Sequence, residues 1–285
     1  MRASVLAFAL PLLAAGCSSG NENACTGGGQ ALNVCATGTT IKGVDVYEGQ
    51  GTIDWTSVKG AGIDFAITRV SDGTAYPDST FEANWVGIQK AGMVRGLYQF
   101  FRPDVDPIAQ ADLMFSKLAK AGGLQNGDLP PVLDIEVTDG LSASQVQTAM
   151  KKWLAYVQQK TGRTPMIYTA AFMSSTIGTG FSSYPLWVAN FGATCPLMPS
   201  GWTDWVIFQY ADHGTVAGIP GTGEDMDEFN GSLKDLIAFA TVPVPDAGAP
   251  PPADAGTTEA GAGSDASAPP PPTSDAGDAG SPPCP

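Results

Sequence analysis

The sequence predicts an α/β fold, an irregular barrel of eight strands with an incomplete ring of helices, flanked by disordered tails. Three observations predict it. Eight apolar, strand-like runs fall between residues 41 and 240. Amphipathic helical stripes separate several of them, which argues for parallel strands joined by right-handed crossovers. Outside that window the composition turns to Gly, Ser, Ala, Pro and Asp, too polar to bury the apolar surface that would order it. A length of 285 residues admits one large domain plus extensions, and 43% hydrophobic residues suffice for a core.

The chain opens MRASVLAFALPLLAAGCSS. Arg2 gives a positive start. Val5 to Ala15 form an apolar stretch too short to span a bilayer, so residues 1–16 read as a signal peptide. Ala14-Ala15-Gly16-Cys17 resembles the lipobox of bacterial lipoproteins, with Ala14 where Leu is commoner. That resemblance implies cleavage before Cys17 and lipidation of its sulfur, which would attach the protein to a membrane through acyl chains. Residues 17–40 follow as a flexible tether.

The strand-like runs are Gly43–Tyr47, Asp64–Val70, Val94–Phe101, Pro131–Val137, Pro165–Thr169, Leu186–Phe191, Trp205–Tyr210 and Asp225–Phe229. Between them, Phe81, Trp85 and Ile88 recur at helical spacing, as do Ile108, Ala111, Phe115 and Leu118. Val146, Met150, Trp153, Leu154 and Val157 stripe a longer helix, with Ser142 and Gln145 placed for a capping box ahead of it. Eight strands in about 200 residues favour a closed, TIM-like barrel over a doubly wound open sheet. The gaps after the sixth and seventh strands are too short or too rich in Gly and Pro for good helices, so the helical ring is expected to be incomplete. Residues 241–285 hold 12 of the 23 prolines and four Asp-Ala-Gly repeats, and read as a solvated tail.

Composition excludes several functions. The net charge is −14, so a nucleic-acid partner, which needs a basic surface, is not expected. The single histidine, His213, disfavours zinc peptidases, which draw on two or three His ligands. No G-x-S-x-G elbow is present. Asp104 and Asp106 read as a turn and a helix start, and neither a metal nor a cofactor is called for. Beyond Cys17, Cys25, Cys35, Cys195 and Cys284 allow three pairings in an oxidising compartment, Cys25 with Cys35 being the locally easiest. A nucleophilic Cys195 working with His213 would have no recognisable motif around it.

The chemistry concentrates in Pro130-Pro131-Val132-Leu133-Asp134-Ile135-Glu136. Side chains alternate along a strand, so Asp134 and Glu136 face one way and Leu133 and Ile135 the other. In a barrel, acids at the carboxyl end of a strand face the mouth. Two such neighbours cannot both ionise freely, so one is a general acid near neutral pH and the other can stabilise cationic charge. Glycoside hydrolysis, with its oxocarbenium-like transition state, uses such a pair. By itself a D-x-E pair is equally a strand-end salt bridge or a pair of metal ligands. Asp45 at the end of the first strand and Asp227 in the eighth add acids to the same mouth. Only Arg69 and Arg102 stand ready as counterions.

Residues 41–240 resemble glycoside hydrolase family 25, the Chalaropsis-type muramidases. The resemblance rests on an ordered set: Gly43-Val44-Asp45-Val46, Asp64 to Arg69, Gly96-Leu97-Tyr98-Gln99-Phe100-Phe101-Arg102-Pro103, Leu133-Asp134-Ile135-Glu136, Leu186-Trp187-Val188-Ala189, Phe208-Gln209-Tyr210, Gly218-Ile219 and Asp227. It implies an irregular eight-stranded barrel that hydrolyses the β-1,4 bond from N-acetylmuramic acid to N-acetylglucosamine in peptidoglycan. It implies Glu136 as general acid, and Asp134 orienting a substrate acetamide that acts as nucleophile in a retaining route. Asp45 and Asp227 complete the acid cluster. Tyr98, Arg69, Gln99, Tyr168, Trp187, Gln209 and Tyr210 are expected to contact the glycan. The chain departs from the pattern at Gln99, where His is usual, at Tyr47-Glu48, where Ser follows the opening motif, and at Phe191, where Tyr is frequent. Three rivals remain: a hydrolase of another N-acetylated glycan such as chitin, a barrel that binds peptidoglycan without turnover, and an envelope scaffold whose long tails are its main function. The chitinase pattern D-x-x-D-x-D-x-E is not matched, and a lost Asp134 or Glu136 would have marked the second.

Overall fold

The computed structural model describes residues 32–241. The expected signal peptide, Cys17, most of the tether, Cys25, Cys284 and the proline-rich tail lie outside the described residues.

In chain order the elements are β1 (Ile41–Val46), α1 (Trp55–Gly60), β2 (Phe65–Asp72), β3 (Tyr76–Pro77), α2 (Phe81–Lys90), β4 (Val94–Phe100), α3 (Pro107–Lys120), β5 (Val132–Asp134), α4 (Ala143–Thr161), β6 (Met166–Ala170), α5 (Ser174–Ile177), β7 (Leu186–Ala189), β8 (Ile207–Gly214), β9 (Glu224–Phe229) and α6 (Leu233–Ala240). The sheet runs β1-β9-β8-β7-β6-β5-β4-β2, and β1 pairs with β2, which closes an eight-stranded barrel. The short β3 forms a hairpin on the end of β2.

All eight expected strands are present. One expectation about their direction is corrected: β9 runs antiparallel to both β8 and β1. A parallel strand needs a crossover connection, and residues 215–223 between β8 and β9 form no helix. The chain turns back as a hairpin, with register shifts at Gln209/Ala211 and Ala211/Gly214. Helices are also missing between β7 and β8, as the sequence indicates.

The remaining helices follow their patterning. Asp106 caps α3 by accepting the Ile108 amide at 2.9 Å. Ser142 and Gln145 form the expected capping box on α4, and Gly162 ends that helix at φ 66°, a conformation glycine adopts without steric cost. Trp153, Leu154 and Val157 on α4 pack with Met114 and Leu118 of α3 against the outer face of the strands, including Leu133 and Ile135. The barrel interior is a separate apolar layer of Phe65, Ile67, Val132, Met166, Ile207 and Phe229. Helix α6, which the sequence reading did not anticipate, adds Leu236 and Ala240 to that layer. Strand alternation therefore sorts residues between the barrel interior and the layers outside it, a third cluster of Val44, Val46, Trp55, Val58 and Ala66 covering β1 and part of β2. Gly43 in β1 has its own reason: a Cβ there would run into the Phe65 ring.

The folded unit begins before β1. Asn33 bridges Leu197, the Val34 amide donates to Pro196 O at 3.1 Å, and Met198 N donates to Leu32 O at 2.8 Å. This short ladder brings Cys35 and Cys195 to a Cα separation of 4.4 Å, and they form a disulfide. Cys35 is therefore not joined to Cys25, its easiest neighbour in sequence, and Cys195 is not a free nucleophile. Backbone pairing, rather than chain proximity, selected the partner.

Candidate active site

The mouth of the barrel collects acids from three strands. Asp134 is the last residue of β5, and Glu136 follows just beyond, where Ile135 N still donates to Tyr168 O at 3.0 Å. Asp45 lies near the end of β1. Because β9 runs the opposite way, its beginning lies at the same mouth, and Asp225 is the register partner of Asp45. Tyr98, Tyr168, Trp187 and Gln209 project inward from β4, β6, β7 and β8. A cleft of about 280 Å³ is lined by these four with Asp45, Asp134, Glu136 and Asp225. Phe100, Phe191 and Asp212 complete its rim.

Two carboxyl pairs lie side by side. Asp134 and Glu136 face the same way at the strand end, close enough for each to shift the other's titration. Burial, then the neighbouring Glu136 charge, pushes Asp134 well above the usual carboxylate range. Burial also raises Glu136, the less enclosed of the two, against the lowering effect of its interaction with Asp134. The two carboxyls interact, so they titrate as a pair. Behind it, Asp45 is raised well above the ordinary range by burial and by the charges of Asp227 and Asp225. Burial likewise raises Asp227, which lies beside Asp45 and accepts the Trp187 Nε1 hydrogen at 2.8 Å. Burial, then the Asp212 and Glu136 charges, pushes Asp225 up to about 6.

A hydrogen-bonded chain ties the aromatic wall to the acids. Tyr168 donates its hydroxyl to Gln209 Oε1 at 2.6 Å, and Gln209 Nε2 donates to Asp45 Oδ2 at 2.7 Å. Gln209 therefore faces Asp45 with its donor end. Burial holds the Tyr98 and Tyr168 hydroxyls protonated, reinforced by the nearby carboxylates.

The salt-bridge alternative can be tested directly. Arg69 is engaged by Asp78 at 3.3 Å and Glu48 at 3.8 Å, and lies over the Tyr47 ring at 4.5 Å. Arg102 binds Asp72 at 2.6 Å and Asp139 at 3.2 Å. Among the described residues no ion pair involves Asp45, Asp134, Glu136, Asp225 or Asp227. Unpaired acids raised by burial, in an open cleft walled by aromatic rings, suit proton donation to a sugar.

Comparison with known proteins decides the family. The model of glycosyl hydrolases family 25 matches residues 44–219. The chain belongs to this family. Lysozyme M1 of Streptomyces globisporus is 37% identical over 211 residues, covering 70% of this chain and 71% of that one. The N,O-diacetylmuramidase of Chalaropsis sp is 30% identical over 220 residues, covering 71% of this chain and 100% of that one. Among solved structures, a bacterial lysozyme from Streptomyces coelicolor superposes with a TM-score of 0.65 at 37% identity, covering 70% of this chain and 96% of that one. As a family 25 member the chain is a glycoside hydrolase, and its barrel is the fold of these neighbours.

Two residues expected to contact glycan in this family 25 barrel lie elsewhere. Gln99 is fully buried on the outer face of β4, where Nε2 donates to Ser71 Oγ and Gln110 O and Oε1 accepts Trp153 Nε1. It adjoins Tyr98 in a strand, and the two cannot face the same side. Tyr210 lies with Phe208 on the outer side of β8, their ring centroids 6.2 Å apart. Arg69, the register partner of Tyr98 on β2, shares its face and is held beside the cleft by Asp78 and Glu48. Conversely, Asp225 joins the site although only Asp227 was singled out. The alternation applied to Asp134 and Glu136 applies equally to Asp225 and Asp227.

Proposed function

We propose that this chain is a peptidoglycan muramidase, hydrolysing the β-1,4 bond between N-acetylmuramic acid and N-acetylglucosamine. One observation carries the reading: a cluster of carboxyls without counterions, in a cleft walled by Tyr98, Tyr168 and Trp187. The names of its relatives, a lysozyme and an N,O-diacetylmuramidase, support the substrate.

Glu136 is the general acid. It is the member of the pair nearer solvent, and its proton goes to the glycosidic oxygen as the bond to the anomeric carbon breaks. Asp134 does not serve as the opposing nucleophile. The two carboxyls of a double-displacement site stand about 5–5.5 Å apart across the sugar, and those of an inverting site about 6.5–9.5 Å. Asp134 and Glu136 alternate onto the same face of one strand end, so both lie on one side. This favours a retaining route in which the substrate acetamide attacks the anomeric carbon. Asp134 steadies the acetamide N–H, and water then opens the cyclic intermediate with Glu136 as base. Asp225, ionised above about pH 6, supplies negative potential for the oxocarbenium charge, and Tyr98, Tyr168 and Trp187 pack on the sugar. Gln209 positions Asp45.

The Cys35–Cys195 disulfide supports an oxidising compartment and therefore export. In this reading residues 1–16 are removed, Cys17 carries the lipid that holds the enzyme in the cell envelope, and residues 241–285 serve as a solvated tail. The chemical role is tested by turbidity clearing of peptidoglycan. Glu136→Gln should slow clearing at least a hundredfold, the scale of general acid catalysis, with an unchanged near-UV dichroism spectrum. Retained clearing would remove Glu136 from its role.

A further inference from the structure

A second pocket of about 320 Å³ adjoins the cleft and shares Glu136, Tyr168 and Phe191 with it. Phe172, Asn190 and Leu197 form much of the rest of its lining. Phe172 is 66% exposed and Phe191 47%, whereas the core aromatics are buried. Phe172 sits in the 3-10 turn Ala171–Met173 that follows β6. Asn190 Oδ1 accepts the Leu197 amide at 2.9 Å, and its Nδ2 has no protein partner among the described residues.

The two pockets differ in charge. Asp45, Asp134, Asp212 and Asp225 line the first together with Glu136, but Glu136 is the only acid lining the second. During glycoside cleavage, cationic charge develops on the sugar whose anomeric carbon is attacked. That sugar belongs among the acids. The departing sugar stays neutral, and its bridging oxygen must reach Glu136. It therefore belongs in a neutral pocket that shares Glu136 with the first.

We propose that this second pocket binds the departing N-acetylated sugar, with Phe172 and Phe191 as its apolar platforms, and that the N-terminal strap Leu32–Cys35 holds its wall. The proposal rests on the glycosidase reading above. The wall is the segment from Asn190 to Leu197, which contains no helix and follows the end of β7. Its far end is fastened by the Asn33–Leu197 bridge, the Val34–Pro196 hydrogen bond and the Cys35–Cys195 disulfide. The segment that leads towards the N-terminus thus fixes the shape of a substrate pocket, and an oxidised disulfide is part of that fixing.

The test is steady-state kinetics on soluble peptidoglycan glycan strands. Phe172→Ala removes an exposed ring, and should raise KM about tenfold through lost sugar stacking. The group binds the departing sugar before and during cleavage alike, so kcat should stay within about twofold. Replacing both Cys35 and Cys195 by Ser should also raise KM, and combining it with Phe172→Ala should raise KM by less than the product of the separate effects, because both act on one wall. An unchanged KM in Phe172→Ala, while the unaltered protein turns over and Glu136→Gln does not, overturns the subsite. Absence of turnover in the unaltered protein instead overturns the glycosidase reading. In that case, titration of N-acetylglucosamine oligomers into Glu136→Gln, with and without Phe172→Ala, decides the subsite: weaker binding supports it and equal binding overturns it.

Discussion

At the scale of the residue, the site trades stability for chemistry. Three buried acids, Asp45, Asp134 and Asp227, and two half-buried ones, Glu136 and Asp225, have no counterions, and each costs free energy when it ionises in place. Asp225 shows the sign. Its folded pKa of about 6 lies above the ordinary value of 3.8. Below the ordinary value the carboxyl is protonated in both states and costs nothing. As pH rises from about 4 to 6, the unfolded chain ionises first and stability falls. Asp225→Asn removes that slope. It should stabilise the protein by about 1–2 kcal/mol at pH 7, after allowance for partial exposure, and by almost nothing at pH 4. Urea unfolding at the two pH values checks this, and a gain independent of pH would contradict it. The same substitution should lower activity. Strand alternation made Asp134 and Glu136 legible in the sequence, and consistent use of it would have placed Asp225 inward and Gln99 outward. Resemblance pulled Gln99 toward the substrate although its neighbour Tyr98 already occupied that face. The hydrogen-bonded chain from Tyr168 through Gln209 to Asp45 was not legible, because it joins residues of β6, β8 and β1 that only barrel closure brings together.

At the scale of the element, periodicity carried most of the fold. The strands and the stripes of α2, α3 and α4 are apolar patterns that report burial directly. The direction of β9 is not such a pattern, since a strand reads the same in a parallel or an antiparallel pair. Helices α1 and α6 were missed because six and eight residues give too few turns for a period to emerge. Beneath the barrel strands, one buried ion pair bears on folding rather than on chemistry. Arg95 on β4 is buried, contacts Asp128 through Nε at 2.7 Å and Nη2 at 3.1 Å, and stacks over Trp85 at 4.0 Å. Asp128→Ala leaves that guanidinium buried and unpaired, which should cost about 3–5 kcal/mol. Thermal unfolding should report the loss, while kcat of the folded protein at low temperature stays unchanged. A stability change below about 1 kcal/mol would show that water reaches Arg95.

At the scale of the whole molecule, the N-terminal segment links location to structure. The disulfide joins residues 160 positions apart, and closing so long a loop restricts the unfolded chain by about 5 kcal/mol in the chain-entropy account. Sequence could count its cysteines but could not pair them, because the pairing depends on a bridge between Asn33 and a loop on the far side of the barrel sequence. In the proposed arrangement a lipid on Cys17 lies only a short stretch of chain before that strap. Cys17→Ser should move the protein from the membrane to the soluble fraction of cells, and an unchanged distribution would contradict lipidation there. No described helix is long and apolar enough to cross a membrane. The central claim is that the acid cluster hydrolyses the muramic acid linkage, and mass spectrometry of digested peptidoglycan tests it most directly. The account predicts muropeptides ending in reducing N-acetylmuramic acid from the unaltered protein and none from Glu136→Gln. Anhydro-muramic ends, reducing N-acetylglucosamine ends, or undiminished products from Glu136→Gln would contradict it.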